Sequence, residues 1–87
     1  MKIIVSRKYQ KNLEKRFRNN SLVKKRLVER LILLLTDCND PILQNHALKG
    51  EMIGNYSFSV TGNIRVIYTI YQDTFTLLDI GTHNQVY

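Results

Sequence analysis

The chain has 87 residues, 13 of them Lys or Arg and 7 Asp or Glu, for a net charge of +6. That length is expected to fold as one domain, residues 1–87, with a two-layer core. No apolar run reaches the roughly 18 residues of a membrane-spanning helix, and the opening MKIIVSRKYQKN is too briefly apolar for a secretory signal. Cys38 is the only cysteine, so no intrachain disulfide forms, and no Cys/His spacing matches a zinc site. The expectation is a cytoplasmic protein without metal, cofactor or membrane contact.

Taken in chain order, Lys2–Val5 reads as a short strand, with Ser6 as the N-cap of a first helix from Arg7 to about Asn19. Tyr9, Leu13 and Phe17 recur at i, i+4 and i+8, a narrow apolar stripe on an otherwise cationic helix. Asn19-Asn20 suits a left-handed C-cap. Ser21 then caps a second helix reaching about Thr36, whose Leu22, Val23, Leu27, Val28, Leu31, Leu34 and Leu35 form a broad apolar face. Leu31–Leu35 is apolar all round and reads as buried by the sheet, the first helix or a partner chain. The two-residue link implies an α-hairpin. Asp37–His46 reads as a loop, because Asp40-Pro41 disfavours helix.

The last third holds three β-rich runs, Tyr56–Thr61, Ile64–Tyr71 and Thr74–Ile80. Thr61-Gly62-Asn63 and Tyr71-Gln72-Asp73 are tight breaks, and strands joined so closely must be antiparallel. The fold class is therefore α+β, in the order β-α-α-β-β-β. A two-helix hairpin should pack on one face of a small, twisted, mainly antiparallel sheet and leave the other face partly open.

Charge is distributed unevenly along this order. Eleven basic residues lie within the first thirty positions, opposed only by Glu14 and Glu29, so that segment carries +9 and the remainder −3. The asymmetry points to a polyanion, with nucleic acid or ribosome as the leading candidate. Simple solvation of two helices fits less well, since ordinary solvated helices mix both signs.

Few side chains qualify for chemistry. His46 precedes the meander and His83 follows it, so both stand near loop ends of the sheet. Histidine is the side chain suited to proton transfer in both directions near neutrality. Arg65 opens the middle run on the face of Asn63 and Ile67, and its fork of donors suits a phosphate whose charge grows in a transition state. An edge charge that blocks aggregation is the plainer reading.

The blocks His46-Ala47-Leu48-Lys49-Gly50, Tyr56-Ser57-Phe58-Ser59-Val60, Arg65-Val66-Ile67-Tyr68 and Gly81-Thr82-His83-Asn84-Gln85-Val86-Tyr87 resemble the RelE/ParE toxin superfamily. They are most similar to its RelE and YafQ branches, and the likeness covers nearly the whole chain. The resemblance implies a RelE-like fold in a toxin of a type II toxin–antitoxin system. It implies a ribosome-dependent endoribonuclease that cuts mRNA and is neutralised by an acidic cognate antitoxin. His46 and His83 would share the acid and base roles, with the RNA 2′-OH as nucleophile and no metal. Arg65, with Lys49, would stabilise the growing charge, and Tyr87 would stack on a base. Lys11, Lys15, Arg18, Lys24 and Lys25 would bind RNA. The YafQ branch often has His, Asp and Trp where this chain has Ser59, Asn63 and Ile64, and Arg where it has Asp79. Two further readings stay open: a ParE-like gyrase inhibitor without catalysis, and a degenerate toxin acting mainly through antitoxin binding and promoter repression.

Overall fold

A computed structural model describes residues 1–87. In order come β1 (Lys2–Val5), α1 (Arg7–Phe17), α2 (Ser21–Thr36), β2 (His46–Ala47), β3 (Tyr56–Thr61), β4 (Ile64–Tyr71), β5 (Thr74–Thr82) and α3 (His83–Val86). The sheet runs β1-β5-β4-β3-β2. The meander forms as its tight breaks require: Thr61 pairs with Ile64 and Tyr71 with Thr74, so each loop has two residues. Gln72 and Asp73 both take positive φ, 46° and 63°, as a hairpin turn that follows the strand twist demands. β1 joins β5 in parallel at one edge, and β2 joins β3 antiparallel at the other.

Strand alternation sorts the side chains. Phe58, Val60, Val66, Tyr68, Phe75, Leu77 and Ile80 meet Tyr9, Phe17, Val23, Leu27 and Leu34 in one buried cluster between sheet and helices. α1 rests on β5 and α2 on β3, and each touches the sheet more than the other helix. The opposite face carries Ser57, Ile67 and Asp79 in one register row, and Ser59, Arg65 and Gly81 in the next. Val86 of α3 and Ile67 are buried outside the main cluster. The far face is thus partly covered.

Several element ends differ from the expectations. Asn20, not Ser21, caps α2: its Oδ1 accepts the Val23 N–H at 3.1 Å, and Ser21 becomes the first helical residue. α1 ends at Phe17, and Arg18 stays right-handed, so the Asn pair forms no left-handed cap. The stretch Leu31–Leu35 is only half covered. Leu34 is 1% exposed but Ile32 57% and Leu35 44%, because one side of α2 alone meets the sheet. Within Asp37–His46, Asp40 Oδ1 accepts the Ile42 N–H and starts a 3-10 turn over Pro41–Leu43. β5 continues past Ile80 to Thr82. The capping reading of Ser6 holds, with its hydroxyl accepting from Tyr9 N–H at 3.1 Å. No helix is long and apolar enough to cross a membrane.

Candidate active site

The open face is organised by a residue that strand patterning hides. Ser57 is fully buried in β3, between His46 of β2 and Ile67 of β4 in register. Its Oγ accepts from Arg65 Nε at 2.6 Å and from the Tyr87 hydroxyl at 2.7 Å. One small hydroxyl therefore fixes a guanidinium from β4 and a phenol from beyond α3. Arg65 Nη2 donates to the Gln44 carbonyl at 2.9 Å and lies 3.4 Å from His46 Nδ1. None of its partners is a carboxylate, and none of the four ion pairs in the molecule includes it. Its charge is held in place without being cancelled.

Gln44 takes a left-handed conformation, φ 46°, which aims its carbonyl at both Arg65 and His46. A non-glycine residue there is strained, and such strain gathers at sites where a group must be aimed. His46 Nδ1 stands 3.1 Å from that carbonyl, closer than to Arg65. We assign the ring proton to Nδ1 on this contact, which leaves Nε2 bare to accept a proton.

The second histidine arrives by a local device. Thr82-His83-Asn84-Gln85 has the spacing of a capping box, and Gln85 Oε1 accepts the Thr82 N–H at 2.8 Å. That bond turns the chain out of β5 into α3. The Tyr87 N–H then closes on the His83 carbonyl at 3.0 Å, and the His83 and Tyr87 rings meet edge-to-face with centroids 4.5 Å apart. The structure thus brings His46, Arg65, Tyr87 and His83 into one row, joined through Gln44 and Ser57. His46 and His83 are both exposed at its ends.

The remaining cations lie apart. Lys49 is exposed three positions after His46, and takes part in no ion pair. Lys11, Lys15 and Arg18 line one depression on α1, where Arg18 pairs with Glu14 at 2.8 Å. Lys24 donates to the Arg18 carbonyl, and Lys25 is exposed. None of the six bonds to the row. A cleft of about 520 Å³ opens beside His46 on the helical side, lined among others by Cys38, Tyr56, Tyr68 and Phe75. Tyr68 donates to Asn45 Oδ1 at 2.6 Å, steadying the residue before His46. Burial pushes its phenol up to about 12, against a smaller opposing effect of that bond.

The family model described as the bacterial toxin of type II toxin–antitoxin system, YafQ, matches residues 1–87. The chain belongs to the YafQ toxin family. Solved structures share the fold. A copper-bound mutant toxin from Helicobacter pylori is 25% identical, with a TM-score of 0.78 over 100% of this chain and 99% of that one. A YoeB/ParE toxin from Agrobacterium tumefaciens is 16% identical, with a TM-score of 0.81 over 95% and 99%. The toxin–antitoxin complex DinJ–YafQ from E. coli contains a chain 20% identical, with a TM-score of 0.76 over 98% and 94%. No curated protein matches the sequence.

Against the YafQ pattern, Asp79 takes on a structural task. It is 6% exposed and accepts from Asn12 Nδ2 at 2.7 Å, Arg16 Nη1 at 3.3 Å and its neighbour's Ile80 N–H at 2.8 Å. Lys8 adds an ion pair at 3.7 Å. Ser59, opposite Arg65, is also buried. No three His, Cys, Asp or Glu side chains gather as a ligand set.

Proposed function

We propose that this YafQ-family toxin is a ribosome-dependent endoribonuclease that cleaves mRNA by acid/base catalysis. The observation that carries the reading is the continuous row from His46, through the Gln44 carbonyl it shares with Arg65, to Ser57, Tyr87 and His83. RNA supplies its own nucleophile, the 2′-OH beside the scissile phosphate. His46, with Nε2 free, takes that proton; the oxygen attacks phosphorus, and His83 protonates the departing 5′-oxygen. Arg65 offers an uncancelled positive charge where the phosphorane gathers negative charge. Tyr87, its hydroxyl tied to Ser57, presents a ring on which a splayed base stacks. The products are a 2′,3′-cyclic phosphate and a 5′-hydroxyl.

Docking on ribosomal RNA falls to the exposed cations of α1 and the start of α2, together with Lys49, through sequence-independent, salt-sensitive contacts. The partner is an antitoxin, a reading supported by the E. coli YafQ structure with DinJ, and the net charge of +6 on this chain calls for an acidic one. Exposed Val28, Ile32 and Leu35 on α2, near Lys24 and Lys25, suit an acidic amphipathic segment that orders on binding. Cleavage mapping on translating ribosomes tests the chemistry. A His83→Ala variant is expected to cut about 10²–10⁴-fold more slowly than the parent, the worth of one general acid. Parent-like cutting would remove His83 from the mechanism.

A further inference from the structure

Gly81 lies directly across from Arg65 in the β4–β5 ladder, so the two positions share the open face, where opposed side chains stand about 5 Å apart. A Cβ at Gly81 would meet Arg16 Nη1 at 2.7 Å and Gln85 Oε1 at 2.7 Å. The space over Gly81, across the ladder from Arg65, is therefore occupied by the guanidinium of Arg16 from α1. Arg16 Nη1 is anchored on the Ile80 carbonyl at 2.9 Å and on Asp79 at 3.3 Å. Its Nε and Nη2 bond to nothing in the protein, and no buried polar atom lacks a partner, so these donors face water. The side chain is 22% exposed.

Charge sharpens the point. Asp79 alone opposes both Arg16 and Lys8, so this cluster keeps one positive charge in surplus. Next to it stands Arg65, which has no carboxylate at all. Here one guanidinium held by Ser57 and another held by Asp79 over the facing rung position leave an excess of positive charge on one face.

We propose that Arg16 is a second phosphate-binding residue, holding the backbone phosphate next to the one at Arg65. This rests on the RNA-cleaving reading above. Gly81, without a side chain, leaves room for the α1 guanidinium on the face that carries Arg65, and Asp79 positions Arg16 rather than neutralising the site.

The test is single-turnover cleavage on ribosomes programmed with mRNAs carrying one uncharged methylphosphonate linkage, placed in turn on either side of the cut. The parent is expected to lose about ten- to a hundredfold in rate at one of these linkages, the span of one charge-assisted hydrogen bond. Arg16→Gln should be slow on all-phosphate mRNA yet lose nothing more from that linkage, whereas Arg16→Lys should recover most of the sensitivity. Because Arg16→Gln strands a buried carboxylate, Arg16→Gln/Asp79→Asn removes both charges and should show the same insensitivity in a folded protein. If either folded Gln variant keeps the parent's sensitivity, Arg16 does not bind that phosphate, and the nuclease reading stands without it. If the parent cuts no mRNA, both ideas fall together.

Discussion

Ser57 joins the Arg65 guanidinium to the Tyr87 phenol because a hydroxyl oxygen has two lone pairs and both are used. Ser57→Ala strips the acceptor from Arg65 Nε and from the Tyr87 hydroxyl at once. The stability loss should be about 1 kcal/mol, at the low end for an unmet donor because both partners reach water. Cleavage should fall by far more than that instability explains, since both groups lose their aim. Chemical denaturation beside cleavage rates separates the two, and an undiminished rate would discard Ser57 as the organiser. His46, Arg65, His83 and Tyr87 were legible as polar or aromatic residues at strand ends and within a motif. Ser57 was not, because a small hydroxyl within an alternating strand carries no signal of what reaches it. Arg16 was equally hidden, one cation among eleven in its segment, distinguished only once β5 curls beneath it.

At the scale of elements, helix starts are decided by which side chain can fold back on the first turn. Asn20 and Ser21 are both good caps by type, and residue identity alone gave the wrong one. Asn20→Ala should cost about 1 kcal/mol, lowering Tm by roughly 4–8 °C for a chain of this size. Ser21→Ala should leave Tm nearly unchanged, and thermal melts of the two variants decide the point. The hairpins were readable because Gly62-Asn63 and Gln72-Asp73 interrupt β-rich runs. The half-covered end of α2 was not, since an apolar residue's type does not say whether the sheet extends far enough to cover it. The Thr82-to-Gln85 spacing was present in the sequence, yet the single helical turn it starts is too short to show periodicity.

Across the whole molecule, two buried phenols couple the core to pH. Burial pushes Tyr9 and Tyr68 up to about 12 from the ordinary value of 10.0. Between those values the unfolded chain gives up protons that the folded chain keeps, so the folded state loses stability as pH rises through that window. Below about pH 10 the contribution is complete. Denaturation midpoints followed from pH 9 to 12 should fall in the upper part of that range, and Tyr68→Phe should flatten the decline. A flat profile in the parent would mean that neither phenol is sequestered. Tyr68 also holds Asn45 through its hydroxyl, so Tyr68→Phe should loosen the approach to His46 as well.

The parallel pairing of β1 with β5 has a temporal meaning. Ser6 donates to the Leu78 carbonyl across 72 positions, so the first strand to be translated waits for the last before it finds a neighbour. His83 and Tyr87 are translated later still. In a nascent chain, therefore, β1 stays unpaired and the proposed row lacks the half that His83 and Tyr87 supply until β5 and α3 have emerged, and on the proposed reading the ribosome is spared for that long.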